Sequence, residues 1–530
     1  MKSKAILLMQ LLLVCSFNTV YAGKKYLSPK DFGLNDATNG VERYEALLRC
    51  HQQAQKEGDW ISYQGIDSIY VEIPKNATGI PLTDRTDFCG VTITVKNRSR
   101  DMFLFTMERE LQSISLSAQQ IDSGDLRNCN TLASGLYIVV VEDKNPWVEE
   151  RIGYGYPHIR YDILLVKDGK AKNRVVMPYN NENSIPASTF RRVTADEKFF
   201  GNLRFIRTSD CTKITGLLRV TGEHNLKLKN LYVYTPQSCD MYGDRVIVVS
   251  NSTCVSYEDV IVDGTYSQPD KFGYAFSLNN VWKHSAKRVK ASGNWGVYGT
   301  NNMSGTIIEN CKINRFDIHC YGRDVTIKNC DFEGYYNSFG STFGTVKFEK
   351  CQFVNFVPYL NSGSYNTFVQ VDVVFNKCSF ILTDQNNFLI QMMGMRADVN
   401  RRKELADKHI PNIKIKNCDV TVPDNLGDWY ILKLGRYNRN LEVEGANKID
   451  ILNLSIKGNT SSTVHLQTDK IDMKKPFDVR ERGIRNGRQK DSVKQDCFWP
   501  LTKRETVGIA TIFVVVIEVV GMAGKYNLLS

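Results

Sequence analysis

The sequence predicts an all-β protein, a right-handed parallel β-helix (a solenoid) with a short N-terminal capping helix. The first observation is an eight-residue unit, T-I-I-E-N-C-K-I at residues 306–313, with apolar side chains at positions three, six and eight and Asn at position five. Seven other segments fit this template, with Asn or a charged residue at position five: 226–233, 255–262, 325–332, 346–353, 373–380, 413–420 and 449–456. Apolar alternation with a break in phase is typical of short strands separated by a bend.

The second observation is the spacing of these units. Cys311, Cys330 and Cys351 are nineteen and twenty-one residues apart, which suits one coil of three short strands and three turns. The longer gaps to Cys378 and Cys418 then contain inserted loops. Because one unit buries little apolar surface alone, successive units must stack, with matching positions about 4.8 Å apart.

The third observation concerns the residue types at the stacked positions. Cysteines at one repeat position are expected to be small buried residues rather than disulfide partners. An Asn at position five favours a left-handed backbone conformation at the bend and hydrogen bonds to the neighbouring coils. The asparagines at this position are Asn230, Asn310, Asn329, Asn417 and Asn453.

The ends of the chain predict export. Residues 1–22 read as a signal peptide, with Lys2 and Lys4 before an apolar run and V-Y-A before Gly23. The protein is therefore expected to be periplasmic, secreted or on the cell surface. Residues 506–524 are long and apolar enough to span a bilayer, but Glu518 within them keeps a β-branched strand as the alternative.

Three further segments complete the domain organisation. Residues 24–198 are predicted to form the N-terminal cap and the first, irregular coils, and 199–458 the regular β-helix. Helical spacing predicts a helix at 41–54, and alternation predicts strands at 136–141 and 161–166. Asp168-Gly169 is typical of a hairpin turn. Residues 459–505 lose the repeat and are predicted to be a basic linker or extension.

Charge and motif content exclude several function classes. The formal net charge is +11, but most of the basic residues are interspersed with acidic ones. No basic stripe interleaved with aromatic residues is present, so no nucleic-acid partner is expected. The sequence contains no C-x-x-C pair, no clustered aspartates of a calcium site and no phosphate loop. We therefore expect neither a metal nor a cofactor.

Residues 31–50, D-F-G-L-N-D-A-T-N-G-V-E-R-Y-E-A-L-L-R-C, resemble the start of the pectate-lyase-like β-helix superfamily. In that superfamily an Asp-Phe-Gly loop and a short helix cap the first coil. Its members include secreted polysaccharide lyases, glycoside hydrolases, phage tailspikes and non-catalytic surface proteins. The resemblance implies the fold and a preference for carbohydrate, and leaves the reaction open.

The candidate catalytic residues lie directly after the 306–313 unit, in R-F-D-I-H. If Phe316 and Ile318 point inward, then Arg315, Asp317 and His319 share the outer face of one strand. A guanidinium, a carboxylate and an imidazole in a row are suited to holding a sugar and transferring a proton. The alternative is a surface ion pair of little consequence.

Neighbouring coils supply a second set of candidates. Asp331 and Glu333 share a face and form a candidate acid–base pair, with a structural role beside a turn as the alternative. Aromatic and amide side chains on the same coils are expected to bind sugar rings. They are Trp295, Tyr298, Tyr335, Tyr336 and Asn337.

These residues lead to two hypotheses. The first is an exported enzyme, a polysaccharide lyase or glycoside hydrolase, that processes a complex polysaccharide, an acidic one included. Arg315 would hold the sugar, and Asp317 or His319 would act as acid or base. The second is a non-catalytic, glycan-binding or structural protein of a cell surface or tailspike-like particle.

Overall fold

A computed structural model gives the three-dimensional arrangement. It describes residues 25–148, 158–176, 178–180, 184–236, 245–264, 273–291, 296–333, 337–338, 342–354, 358–361, 371–384, 386–393, 412–434, 448–458, 464–466, 478–482 and 485–486. The predicted signal peptide (1–22) and membrane segment (506–524) lie outside these residues. Neither described α-helix is long and apolar enough to cross a membrane.

Two α-helices and 35 strands are described. The helices are α1 (Gly40–Glu57) and α2 (Ala118–Ser123). The strands before the first coil is complete are β1 (Tyr26–Leu27), β2 (Trp60–Ser62), β3 (Ser68–Glu72), β4 (Ile80–Pro81), β5 (Arg85–Asp87), β6 (Thr92–Lys96) and β7 (Met102–Glu108). An insertion follows with β8 (Gln112–Ile114), β9 (Leu136–Val148), β10 (His158–Lys167), β11 (Lys170–Ala171) and β12 (Pro186–Val193). The remaining strands are β13 (Lys198–Arg207), β14 (Thr215–Thr221), β15 (His224–Thr235), β16 (Arg245–Gly264), β17 (Tyr274–Lys287), β18 (Lys290–Ala291), β19 (Gly296–Glu309), β20 (Lys312–Ile313), β21 (Phe316–Lys328), β22 (Asp331–Glu333), β23 (Asn337–Ser338), β24 (Thr342–Glu349), β25 (Gln352–Val354), β26 (Pro358–Asn361), β27 (Val371–Asn376), β28 (Ser379–Ile381), β29 (Phe388–Met393), β30 (Asn412–Val422), β31 (Trp429–Leu434), β32 (Lys448–Gly458), β33 (Val464–Leu466), β34 (Asp478–Arg482) and β35 (Arg485–Asn486).

The shaft is a right-handed parallel β-helix, as the repeat predicts. One coil illustrates its three faces: residues 274–279 lie on face A, 284–287 on face B and 290–291 on face C. The next coil pairs in parallel and in register, since Phe276 aligns with Tyr298 and Ala291 with Ile313. Matching positions therefore form columns along the shaft.

The predicted capping helix is α1. Asn39 accepts hydrogen bonds from the first turn, Glu42 reaches back to the Asn39 backbone, and Gly58 ends the helix in a left-handed conformation. The inner stripe of α1, which includes Leu47 and Ala54, is buried over the first coil. The helix thereby covers the otherwise open end of the solenoid.

The cysteine column is confirmed. Cys311, Cys330, Cys351, Cys378 and Cys418 are buried and unpaired by disulfides. Their thiols lie within hydrogen-bond distance of backbone carbonyls, as between Cys330 Sγ and the Lys328 oxygen at 3.1 Å. Phenylalanines stack in neighbouring columns, with the rings of Phe348 and Phe375 5.0 Å apart and 4° from parallel. Identical side chains on successive coils thus pack as in a crystal lattice.

The corner prediction is also confirmed. The φ angles of Asn230, Asn310, Asn329, Asn417 and Asn453 lie between 50° and 57°. Stacked asparagines bond to each other, since Asn453 Nδ2 donates to Asn417 Oδ1 at 2.9 Å. Lys350 and Lys377 occupy the same corner with φ of 54° and 57°. The left-handed backbone conformation is therefore constant at this corner, whereas the residue type varies.

Residues 111–193 differ from the predicted irregular coils. The predicted strands and the Asp168-Gly169 hairpin are present, but strands β8–β12 form an antiparallel sheet in the order β11-β10-β9-β12-β8. One face packs under α2 around Leu164 and Tyr179. The other, which includes Ile138 and Ile163, packs on Trp282 of the shaft. The inner and outer alternation is common to both arrangements, so the sequence pattern alone does not separate them.

A buried carboxylate joins this insertion to the shaft. Glu223, which is fully buried at a face A–face B corner, contacts Arg109 at 3.0 Å, Arg191 at 3.2 Å and Lys198 at 3.2 Å. Arg109 follows β7, Arg191 lies in the last strand of the insertion, and Lys198 begins β13. Both connections between the two parts therefore meet at one anion. Removing one member of such a buried network typically costs about 3–5 kcal/mol.

The shaft also continues beyond its predicted end near Gly458. Within the segment predicted to be a linker or extension (459–505), β34 pairs in parallel with β32 from Lys448 to Leu452, and β35 pairs with Ser455 and Ile456. The extension adds strands to faces B and C. Its charged residues obscure the apolar pattern of the repeat.

Replacement of a corner residue tests the left-handed columns. Asn329→Ala should lower the stability by about 1–2 kcal/mol, because a left-handed φ is costly for a residue with a Cβ and no local hydrogen bonding. Asn329→Gly is the matched control and should be near neutral, since Gly adopts this conformation freely. Thermal denaturation followed by circular dichroism measures both. Equal midpoints for the two variants would contradict the assignment.

Two buried histidines should make the shaft acid-sensitive. His51 Nδ1 lies 3.0 Å from the Pro81 oxygen and His284 Nδ1 lies 3.1 Å from the Val255 oxygen. Burial lowers the pKa of His51 to about 3 and that of His284 to about 4, from an ordinary value of 6.5. Between pH 6.5 and about 4 the unfolded chain binds these protons and the folded chain does not, so stability falls as the pH falls.

Each histidine should contribute about 1.4 kcal/mol of this loss per pH unit. Denaturant titrations of the unmodified protein and of His284→Phe, each compared with its own value at pH 7.5, measure the effect. The variant should lose less stability on acidification. The same pH dependence in both proteins would show that His284 does not carry it.

Candidate functional site

The outer side of face A contains the first predicted site, but not as an exposed row. Phe316 and Ile318 point into the core and are fully buried, as predicted. Asp317 points outward between them, and yet it too is fully buried, while Arg315 is 8% exposed. The prediction that Arg315 and Asp317 are exposed on the outer face is therefore wrong.

Tyr274 is the reason for this burial. Its hydroxyl donates to Asp317 Oδ2 at 2.6 Å, and Arg315 Nε donates to the same oxygen at 2.6 Å. Thr300 Oγ1 donates to the Asp317 backbone oxygen at 2.8 Å. The carboxylate is therefore covered by a phenol and neutralised by a guanidinium, and Tyr274 itself is half-buried.

Two glycines provide the space for the Tyr274 ring. A Cβ on Gly299 would lie 2.5 Å from Tyr274 Cδ2, and one on Gly296 would lie 3.0 Å from Tyr274 Cε1. The ring therefore lies over the backbone of the next coil and points its hydroxyl at Asp317, one coil further. Three successive coils build this cluster.

Tyr298 does not lie on the surface, where its predicted role in sugar binding would require it. It is fully buried in the shaft, with its ring 5.1 Å from that of Phe276 and 5.3 Å from that of Phe316. The register aligns Tyr298 with Phe316, so both have the inward phase. Desolvation holds the pKa of its phenol well above the ordinary value. Its role is therefore in the core.

Asp331 and Glu333 share a face, as predicted. Both are exposed on either side of the buried Phe332, and Glu333 Oε1 lies 2.7 Å from Lys312 Nζ. They lie on face C, whereas Asp317 lies on face A. The structure therefore does not bring the two predicted sets of carboxylates onto one surface.

The remaining candidates belong partly to other segments of the chain. Trp295, Tyr335 and Tyr336 lie outside the described residues. His319 lies in β21 and Asn337 in β23, each described by its backbone only. Their predicted roles stay predictions.

Sequence reasoning missed the polar residues that surround the cluster on face A. Asn279 follows Tyr274 on the same strand, and Asn301 aligns with it on the next coil. A second, weaker repeat could have identified them. It reads I-V-V-S-N at 247–251, F-S-L-N-N at 276–280 and Y-G-T-N-N at 298–302.

The insertion lies beside this surface. Asn280, at the corner where face A ends, donates to the backbone oxygen of Asp162 in β10 at 3.4 Å. Further along the shaft, Arg323 donates to the Val175 oxygen at 3.3 Å. A groove of about 460 Å³ borders this second contact, between Val176 and Asp372. The insertion therefore forms a wall along one edge of face A.

The chemistry of the cluster is that of a phenol held by a carboxylate. The oriented hydroxyl of a half-buried tyrosine can transfer a proton to or from a bound substrate. The ring itself offers an apolar surface to a sugar. Within the described part of the chain, no group of three or more His, Cys, Asp or Glu side chains is arranged to hold a metal ion.

Comparison with known proteins identifies the architecture. No protein-family model matches the chain, and no curated protein matches it with significance. Among solved structures, the tailspike protein gp49 from Pseudomonas phage LKA1 matches with a TM-score of 0.52 and 12% identity, over 86% of this chain and 81% of that chain. The fold is that of a parallel β-helix. The fold implied by the resemblance of residues 31–50 is thus confirmed.

Two further tailspike structures match more distantly. The tailspike gp61 of Pseudomonas phage phi297 gives a TM-score of 0.47 and 12% identity, over 82% of this chain and 80% of that chain. The gp54 tailspike of Acinetobacter baumannii bacteriophage AP22, in complex with a capsular saccharide, gives 0.44 and 9%, over 85% and 79%.

Replacement of the glycine beneath Tyr274 tests the assembly of the cluster. Gly299→Ala should displace the ring, break its bond to Asp317 and cost about 1–3 kcal/mol, as overpacking does. Gly427→Ala is the control, because a Cβ there has no atom within 4 Å. Thermal midpoints and near-ultraviolet circular dichroism measure the effect. A Gly299→Ala variant indistinguishable from Gly427→Ala would contradict the packing described.

Proposed function

We propose that this protein is an exported, carbohydrate-active β-helix protein that binds a complex polysaccharide on face A and processes it by acid–base chemistry at Tyr274. The observation that carries the proposal is the pairing of the phenol of a half-buried tyrosine with a fully buried carboxylate, Asp317, at 2.6 Å. Export rests on the signal peptide predicted at residues 1–22. The fold shared with the tailspike gp49 is compatible with a role outside the cell.

Each member of the cluster has a separate part in this proposal. Tyr274 contacts the sugar and moves the proton. Asp317 accepts the hydrogen bond that orients the phenol, so it is a positioning residue. Arg315 compensates the buried carboxylate, whose desolvation would otherwise be costly. Arg315 therefore does not hold the sugar in this arrangement, and His319, two residues after Asp317, remains the second candidate acid or base.

A specific observation favours the alternative, a glycan-binding protein without turnover. Both Asp317 and Arg315 are closed off from solvent and bonded to each other. A satisfied buried pair is a common structural device, and the Tyr274 ring would then serve only as a surface for a sugar.

Variants of Tyr274 separate the two functions. Oligosaccharides with neutral and with uronic-acid residues are incubated with the protein, and new reducing ends, unsaturated ends and binding are measured in parallel. Tyr274→Phe should reduce turnover by about 10²-fold or more, because it removes only the proton-transferring hydroxyl. Binding should remain, since the ring is kept. Tyr274→Ala should weaken binding as well.

Tyr232→Phe is the matched control, because Tyr232 is a half-buried tyrosine on face C, beneath Arg204 at 4.7 Å. It should change neither measurement. Binding that depends on Tyr274 without any new chain ends would establish the binding alternative. If no oligosaccharide is bound or cleaved, the proposed function is wrong.

A further inference from the structure

Two stacked asparagines extend the site on face A. Asn301 Nδ2 donates to Asn279 Oδ1 at 2.9 Å, and Asn279 Nδ2 lies 3.4 Å from Ser277 Oγ. Asn279 and Asn301 are in direct register on successive coils, which places them about 4.8 Å apart along the shaft. Both residues are half-buried on the outer side of face A.

These amides are not needed to form the corner. The left-handed residues are the ones that follow them, Asn280 and Asn302, with φ of 56° and 52°. Asn280 forms the hydrogen bond between successive corners, since its Nδ2 donates to Asn251 Oδ1 at 2.9 Å. A second Asn immediately before each corner residue is therefore explained neither by backbone conformation nor by the core.

The corner behind the amides contains two buried acceptor atoms. Asn280 and Asn302 are 4% and 8% exposed, and their Oδ1 atoms have no hydrogen-bond partner among the described residues. Buried acceptors without donors cost about 1–3 kcal/mol each. Because both oxygens are shielded from solvent, they make the corner beneath the amides polar but are not themselves contacts for a ligand.

The position of the amides relative to Tyr274 suits the next sugar of a chain. The Tyr274 ring lies over Gly299. Outward positions recur every second residue along a strand, so Asn301 is the next outward residue, about 6.6 Å from Gly299 along the strand. This direction leads across the coil towards the insertion, which contacts Asn280. A chain seated on Tyr274 would therefore pass the two amides before it meets the wall.

Two cations near this path are compensated, whereas Arg245, which is exposed and in register with Tyr274 on the preceding coil, lies at the opposite end of the strand from the amides. Arg315 is paired with Asp317, and Arg323 lies 3.4 Å from Asp324 while it donates to the Val175 oxygen. The outward side chains between Tyr274 and the corner, Ser277, Asn279 and Asn301, are uncharged. Amides donate and accept with equal facility, which matches sugar hydroxyls rather than carboxylates.

We infer that Asn279 and Asn301 form a binding subsite for an uncharged, hydroxyl-bearing sugar residue, adjacent to the Tyr274 site. The inference rests on the proposed function, because it assigns the substrate class of the same surface. Two amides about 4.8 Å apart can bind hydroxyl groups of one sugar. They carry no charge that would attract a carboxylate, so this subsite favours a neutral residue over a uronate.

Calorimetric titration of the full-length protein tests this subsite. The probes are a neutral hexose oligosaccharide, an N-acetylhexosamine oligosaccharide and an oligouronate of equal length. At least one neutral probe should bind more tightly than the oligouronate, with an affinity that is unchanged between low and high salt. Asn279→Ala and Asn301→Ala should each weaken that binding about three- to tenfold, as expected for one lost hydrogen bond.

Asn376→Ala is the matched control. Asn376 is a half-buried asparagine immediately before a left-handed corner residue, Lys377, but it lies on face B. It should bind the probes as the unmodified protein does, and all three variants should retain the thermal midpoint. Unchanged affinity of Asn279→Ala and Asn301→Ala, or binding of the oligouronate alone, would overturn this inference and leave the proposed function standing. If the unmodified protein bound none of the three probes, that result would instead contradict the proposed function.

Discussion

Parallel stacking of coils about 4.8 Å apart is the constraint on which the rest of the molecule depends. Because each position lies directly over its equivalent, all the positions in a column have a similar environment and favour the same types of residue. Small thiols at Cys311 and Cys330 fill the same corner of the core, and left-handed residues recur at each bend. Buried histidines such as His284 satisfy their polarity within the column, through the Val255 carbonyl. The shaft therefore leaves little freedom inside and much freedom on its outer faces.

Face A uses that outer freedom to build a cluster from three coils. Tyr274, Gly299 and Asp317 come from successive turns, and none of them has this environment without the other two. The absence of a side chain at Gly299 matters as much as the tyrosine ring, since the ring occupies the space of the missing Cβ. Burial of the Arg315–Asp317 pair gives the phenol a fixed partner. Preorganised geometry of this kind is what proton transfer or selective sugar binding requires.

The antiparallel insertion adds a second surface that the repeat does not supply. Trp282 packs into its apolar face, and Glu223 gathers Arg109, Arg191 and Lys198 at the junction. Apolar packing and a buried ion network thus fix the insertion at two places on the shaft. As a result, the insertion borders face A, and a chain bound at Tyr274, as proposed, would run towards it.

The sequence by itself determined the parallel β-helix, its cap, the cysteine column and the left-handed corners, because these depend on local alternation and on residue types that recur every coil. It also gave the inward phase of Phe316 and Ile318. Only the tertiary structure decided that Asp317 is covered and that Tyr298 belongs to the core, since both depend on the register between coils, which local alternation does not encode. The same holds for the insertion: alternation in strands such as Leu136–Val148 is identical in a solenoid and in an antiparallel sheet. Which strand lies beside which is set by long-range packing, and that choice created the site.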